Sequence, residues 1–242
     1  MVNMARRHQG IYYTKTQLLF TLGFVVTPIL FLLLFARLTP LTIRDLLDDF
    51  SLSIFRLLAA YFIAVILAWT LALLFSTGKR SAVALPVFDV LQSFPTFALV
   101  PLAVLTFGAS NTTVIFFLVI TIIWPLLFST VNAIKLIRKE YWEVADIYGL
   151  HGWRRLKYFL FPASIPGIVT GSIIGLGEGW EALVATEIIM KTEIGLGSFF
   201  EQNSSEVLVT TLGIMLLMLV IFSINRLVWT PVLARVYVRM QE

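Results

Sequence analysis

The chain has 242 residues, of which 59% are apolar or aromatic and only 13% are charged. Soluble domains carry roughly 25% charged residues because their surfaces face water, so this composition excludes an ordinary water-soluble fold. There is no cysteine and there are two histidines, which excludes disulfides, thiolate nucleophiles and histidine-rich metal sites. We therefore expect an all-α integral membrane protein with no metal or cofactor of its own.

Six charge-poor segments are long enough to cross a bilayer, which takes about 20 apolar residues. The first of them lacks a small-residue cleavage pattern and is predicted to stay in the protein. The predicted spanning helices are 18–36, 54–76, 84–107, 112–134, 162–190 and 207–229.

Basic residues are distributed unevenly between the two ends of these helices. With alternating helix directions, 14 of the 18 Lys and Arg residues fall on the side of the N-terminus. Cytoplasmic loops carry such an excess, so both termini are predicted to be cytoplasmic. The excess of basic residues behind the net charge of +4 is therefore explained by their positions at the membrane faces. No nucleic-acid partner is expected.

Three regions follow along the chain. Residues 1–50 are predicted to hold an N-terminal cytoplasmic tail, the first span and a short amphipathic helix at the outer interface, since acidic residues alternate with leucines after residue 43. Residues 51–230 form the core, with a cytoplasmic loop at 135–161. Residues 231–242 form a cytoplasmic tail.

The third predicted span contains three prolines within 16 residues, Pro86, Pro95 and Pro101, beside the polar Gln92 and Ser93. A proline frees a backbone carbonyl, which is tolerated in a membrane only against other helices or a water-filled cavity. A packed kink explains each proline singly, whereas the whole group favours a helix that borders a path. Gln92, Ser93 and Pro95 are therefore candidate path or gate residues.

The fifth predicted span begins with Gly167, Gly171 and Gly175. Small residues repeated every four positions let two membrane helices approach closely. This repeat predicts a helix–helix packing face.

The same span ends in carboxylates, which are costly in lipid and therefore face the bundle interior or water. Glu178 and Glu181 are three residues apart and are predicted to share one helix face. Such groups line a path, pair with Arg56 or Lys191, or lie in water at the outer mouth. Path-lining and pairing are equally open for Glu178, while pairing or hydration is favoured for Glu187. The candidate path residues of this span are Glu178, Trp180, Glu181 and Glu187.

The inner loop carries the most specific pattern, Glu-Val-Ala at 143–145, then Gly149, then Phe-Leu-Phe-Pro ending at Pro162. A short helix is predicted from Trp142 to Tyr148, with Glu143 in its first turn. Gly149 and Gly152 can adopt positive φ and turn the chain sharply after it. Pro162 suits the first turn of the next helix, where its missing N–H costs nothing.

This spacing resembles the EAA loop of ABC-importer permeases, E-A-A, x3, G, x9, I-x-L-P, with apolar departures at Val144, Phe159 and Phe161. The resemblance continues over roughly residues 50–200. The "S-x-x-R" of the permease core is matched at 53–56, and the "G-L-G" of the sulfonate, taurine, nitrate and bicarbonate branch at 195–197. The prolines at 95, 101, 162 and 166 also match that branch.

The resemblance implies a type I ABC importer fold with about six transmembrane helices and a cytoplasmic coupling helix seated in an ATPase subunit. It implies two permease copies as a homodimer, two ATPase copies that hold ATP and magnesium, and an extracytoplasmic binding protein, in a bacterial or archaeal inner membrane. This chain has no phosphate-binding G-x4-G-K-[ST] motif and is not expected to be an enzyme. The implied coupling residues are Glu143, Ala145, Asp146, Gly149, Leu150 and Pro162.

The implied function is an ATP-driven permease for a small anion or small organic solute, such as a sulfonate, taurine, nitrate or bicarbonate. Ionised glutamates would repel an anion, so a neutral or cationic vitamin precursor is an alternative substrate. An ion-coupled secondary transporter is a second alternative, but it usually shows symmetric halves. An intramembrane enzyme would need a nucleophile–base pair or a metal constellation, and the spans contain no histidine.

Overall fold

The computed structural model describes residues 15–241, with side chains from 22 to 236, so the predicted N-terminal tail up to residue 14 lies outside the described residues. Every regular element in that range is helical. The elements are α1 (Lys15–Leu38), α2 (Ile43–Phe75), α3 (Gly78–Gln92), a 3₁₀ turn (Thr96–Leu99), α4 (Val100–Phe107), α5 (Asn111–Lys135), α6 (Lys139–Ile147), α7 (Gly152–Arg155), a π turn (Leu156–Leu160), α8 (Phe161–Met190), α9 (Leu196–Gln202), α10 (Val207–Ile224), a second π turn (Asn225–Trp229) and α11 (Thr230–Gln241).

The expectation of an all-α membrane protein is confirmed. Four helical runs in the described range are long and apolar enough to cross a bilayer, and they contain α2, α5, α8 and α10. The bent pair of α3 and α4 makes a fifth candidate span, and Leu22–Leu38 of α1 is a shorter apolar helix. Each of the six predicted segments therefore coincides with a helix or with the bent pair.

The proline-rich third span is bent, because the chain turns by 72° between α3 and the segment Thr96–Phe107. Pro86 lies inside α3, and Pro101 lies in the first turn of α4. Only Pro95 lies at the break, with ψ of 93° just before the 3₁₀ turn. A proline disfavours helical geometry in the residue before it, and here Ser93 and Phe94 end the α3 hydrogen bonding.

The predicted interfacial helix is also corrected. Residues 43–50 are helical, but they form the first turns of α2 instead of a separate helix. The segment Ile43–Phe75 contains neither glycine nor proline, so nothing interrupts the hydrogen bonding between the amphipathic part and the apolar part. Leu46 and Phe50 are buried in the protein core, which holds this part of α2 against the bundle.

Helix α5 lies at the centre, between α2 and α8. The predicted packing role of the α8 glycines is confirmed, because a Cβ atom added to Gly171 would lie 2.6 Å from the Leu126 Cα on α5. One at Gly167 would lie 2.5 Å from the Ser129 carbonyl oxygen. Helix α2 presents a comparable stripe of small residues, which was not predicted from the sequence. Its fully buried alanines are Ala60, Ala64, Ala68 and Ala72.

Both π turns end two residues before a proline, Pro162 and Pro231. A proline ring collides with the carbonyl four residues earlier in a regular α-helix, and the wider π turn relieves that contact. Pro162 lies in the first turn of α8, as predicted. However, the helical run that contains α8 begins ten residues before Pro162, at Gly152, and so continues into the loop.

Candidate functional site

Helix α6, in the loop at 135–161, ends in a well-formed Schellman motif. The Leu150 N–H donates to the Ala145 carbonyl at 2.9 Å, and the Gly149 N–H donates to that of Asp146 at 3.0 Å. This motif requires a left-handed residue at Gly149, whose φ is +65°. The predicted sharp turn is confirmed, as is the positive φ of Gly152.

Glu143 lies one turn further into α6 than predicted. The helix begins at Lys139, so its first turn holds Glu140 instead. Glu143 approaches Lys139 at 3.5 Å, and both side chains are largely exposed. An exposed pair of this kind adds little stability, so Glu143 remains available to a partner.

A second set of contacts ties α6 to the helical run that follows. Arg155 donates a hydrogen bond to Asp146, and its guanidinium carbon lies 5.5 Å from the centre of the Trp142 ring. The Trp142 ring meets Phe159 edge to face at 5.1 Å. Arg155 and Trp142 were not predicted as positioning residues, because contacts between residues nine or more positions apart leave no periodic pattern in the sequence. They hold α6 at a set angle to the run that becomes α8.

The two sides of α6 differ in exposure. Ala145 is 3% exposed and packs inward, whereas Ile147 is 83% exposed. Exposed apolar residues grouped on one surface are typical of an interaction site. The exposed apolar and aromatic residues of the loop are Leu136, Tyr141, Val144, Ile147, Tyr148, Trp153, Tyr158 and Phe161.

Three predicted path residues from distant parts of the chain meet in one pocket. Gln92 and Ser93 at the end of α3 face Glu178 of α8 across a pocket of about 580 Å³, which we call the polar pocket. Pro95 lies two residues after Ser93, at the bend. The residues that line the polar pocket are Gln92, Ser93, Trp124, Pro125, Phe128, Ser129, Asn132, Ile174 and Glu178.

Glu181 and Trp180 line a different cavity, of about 620 Å³, between α8, α9 and α10. Its other walls are mainly apolar, including Val184, Ile214 and Leu217. The spacing of three residues was expected to place Glu178 and Glu181 on one face. In the structure, α5 and α10 lie on the two sides of that face, so the carboxylates enter separate cavities.

Glu187 is fully buried and pairs with Arg56 of α2 at 2.5 Å. Its carboxylate also accepts hydrogen bonds from the Ser53 hydroxyl at 2.8 Å and the Gly197 N–H at 2.8 Å. Pairing was one of the alternatives for this residue, and Arg56, not Lys191, is its partner. Glu187 lines none of the described pockets.

Arg56 connects this cluster to two more elements. Its guanidinium donates to Asn111 Oδ1 at 2.6 and 2.9 Å and to the Ile194 carbonyl at 3.0 Å. The cluster joins α2, the start of α5, the end of α8 and the loop before α9. The resemblance includes Ser53, Arg56 and the Gly-Leu-Gly segment, but it gave no reason to place them in contact. Asn111 was missed, because nothing in its local sequence distinguishes it from an ordinary residue of a turn.

A bundle of apolar helices with a bent span, a polar pocket and a short exposed helix joined to a spanning helix has the architecture of a multi-pass membrane protein. The family of binding-protein-dependent transport system inner membrane components matches residues 60–230. The chain belongs to this family.

Curated relatives include permeases of three transport systems. The bicarbonate transport system permease protein CmpB of Synechococcus elongatus is 30% identical over 62% of this chain. The nitrate import permease protein NrtB of Leptolyngbya laminosa is 32% identical over 77% of this chain and 71% of its own length. The taurine transport system permease protein TauC of Escherichia coli is 31% identical over 65% of this chain and 60% of its own. The chain spans 56% of the length of the bicarbonate relative. The resemblance to this branch of ABC permeases is confirmed.

Proposed function

We propose that this chain is the permease subunit of an ATP-driven, binding-protein-dependent ABC importer. Two copies form the substrate path as a homodimer, and the chain couples ATP hydrolysis in a partner to alternating access of that path. Its membership of the binding-protein-dependent permease family supports this proposal. The chemistry belongs to two copies of a separate ABC ATPase, which hold ATP and magnesium.

The observation that carries the proposal is the set of contacts that joins α6 to the helical run containing α8. The Schellman turn at Gly149 and the contacts of Arg155 hold α6 against one continuous helical run, Gly152–Met190. A displacement of α6 is therefore transmitted along α8 to Glu178 and the polar pocket. Exposed Ile147 and Tyr148 supply the apolar surface on which an ATPase groove can close.

The location and partners follow from the same proposal. Both termini and α6 lie in the cytoplasm of a bacterial or archaeal cell, and an extracytoplasmic binding protein delivers the substrate to the outer side of the inner membrane. The relatives' names refer to bicarbonate, nitrate and taurine. They favour a small anion or small organic solute, and the motif resemblance adds sulfonates to that class.

Site-specific crosslinking tests the docking of α6, because the natural chain has no cysteine. We expect Ile147→Cys to crosslink to the ATPase in the assembled importer. Val207→Cys is the matched control, since it is similarly exposed, at 78% against 83%, but lies at the opposite end of the bundle. Crosslinking of both positions, or of neither, would contradict the assignment of α6 to the ATPase.

Coupling itself is tested by replacing Gly149. Asn tolerates the left-handed conformation and Val does not, so Gly149→Asn is expected to keep coupling and Gly149→Val to lose it. The measurement compares substrate uptake with ATP hydrolysis stimulated by the loaded binding protein in the same proteoliposomes. Glu143→Ala is expected to weaken coupling as well. Normal ratios of uptake to hydrolysis in both Gly149→Val and Glu143→Ala would refute the proposal that α6 transmits its displacement to α8.

A further inference from the structure

The polar pocket has an unbalanced charge. Glu178 is its only ionisable lining residue, and neither lysine nor arginine occurs among the described residues that line it. Glu178 also takes part in none of the ion pairs found between described residues. Asp89, which accepts a hydrogen bond from Gln92 at 3.1 Å, adds a second carboxylate beside the pocket.

Basic residues on the three surrounding helices lie at helix ends. Lys79 and Arg80 are in the first turn of α3, Lys135 is in the last turn of α5, and α8 contains no basic residue. Arg56, from α2, is held by Glu187. Lys135 lies one helical turn beyond Asn132, outside the described lining, so the Glu178 carboxylate is the one charge on that lining; a carboxylate attracts cations and repels anions.

The remaining walls suit an organic molecule. Trp124 and Phe128 present aromatic surface, Gln92 and Asn132 present amides, and Ser129 presents a hydroxyl. Aromatic faces attract cations, and the volume of about 580 Å³ falls in the ordinary range of small-molecule sites. An exposed carboxylate in a spanning helix is retained against its cost in lipid when it faces a polar path or a partner charge.

From these observations we propose that the polar pocket accepts a small organic cation with an aromatic or planar body, held by Glu178 and the Trp124 and Phe128 rings. This inference rests on the proposed function, since it gives the substrate class of that path. It differs from the anionic solutes in the names of the bicarbonate and nitrate relatives. In this chain the fixed charge of the pocket opposes such anions.

Three probes of similar shape and different charge test the proposal, namely benzylammonium, benzyl alcohol and benzoate. Binding of each radiolabelled probe to the permease–ATPase complex in lipid nanodiscs is measured by equilibrium dialysis without ATP. We expect the wild type to bind benzylammonium at least tenfold more tightly than benzoate, which is about 1.4 kcal/mol. Glu178→Gln is expected to remove this preference, while Glu206→Gln, on the exposed turn before α10, is expected to keep it.

Equal or tighter binding of benzoate by the wild type would overturn the proposal, and this comparison needs no variant to fold. An unchanged benzylammonium preference in Glu178→Gln would overturn the role of that carboxylate. The result is separable from the test of the proposed function. Failure of Ile147→Cys to crosslink would reject the ATPase coupling, whereas loss of charge selectivity would reject only the substrate class.

Discussion

Removing the charge of Glu187 is expected to destabilise the whole bundle. Its carboxylate is fully buried, and the Arg56 side chain is 4% exposed, at a separation of 2.5 Å. Breaking a buried pair by removing one partner costs about 3–5 kcal/mol, because the other charge stays buried without its counterion. In Glu187→Gln, Arg56 would keep its bonds to Asn111 and to the Ile194 carbonyl, which favours the lower end of that range.

A loss of about 3 kcal/mol should lower the unfolding midpoint by about 6–12 °C in a chain of this size. Tryptophan fluorescence of the purified protein during heating in detergent measures that midpoint. Glu143→Gln is the matched control, since it removes one charge of an exposed pair and should cost less than about 1 kcal/mol.

The double variant Arg56→Met with Glu187→Met gives the sharper test. Replacing both members of a buried pair by apolar residues leaves no isolated charge, so the double variant should be more stable than either single replacement. Two results would refute this reasoning. One is a Glu187→Gln midpoint equal to that of Glu143→Gln, and the other is a double variant that loses the sum of the two single losses.

Three other changes have outcomes that follow from single contacts. Gly171→Ala places a Cβ 2.6 Å from the backbone of α5, whereas the Cβ of Gly177→Ala meets nothing within 4 Å. Thermal unfolding should therefore show a loss of about 1–3 kcal/mol in the free energy of unfolding for Gly171→Ala only, and equal losses in both variants would refute the packing argument. Trp69→Phe removes the bond from the indole N–H to the Ser164 hydroxyl at 2.9 Å and should lower the free energy of unfolding by about 0.5–1.5 kcal/mol. Ser110→Ala removes the side-chain cap of α5 and should cost about 1 kcal/mol, with Ser110→Thr as the conservative control; a loss of equal size in both would argue against capping.

Much of this protein can be read from properties that are local in the chain. An apolar run long enough to cross a bilayer becomes a helix there, because a backbone in lipid must satisfy its own hydrogen bonds. The positions of the spans, the short helix before Gly149 and the glycine face of α8 could therefore be predicted. The turn at Gly149 was predictable because a left-handed residue after a helix is recognisable from one glycine.

Other features depend on which helices become neighbours. Three prolines stand in the third span, and the sequence offers no means of telling that the chain breaks at Pro95 while Pro86 stays inside α3. The extent of α2 was misjudged because an amphipathic start and an apolar continuation form one helix when no breaker separates them.

The carboxylates of α8 show the same division most clearly. Their positions in an apolar span indicate carboxylates that face the bundle interior or water, since charge is costly in lipid. Their partners, however, come from elsewhere in the chain. Glu187 meets Arg56 across 131 positions of sequence, while Glu178 and Glu181 enter separate cavities because different helices pack on either side of them. The spacing of residues along one helix predicts which of them share a face of that helix, but not which neighbouring helices pack against that face. The assignment of one glutamate to an ion pair and another to a pocket required the packing of α2, α3, α5 and α10 around it.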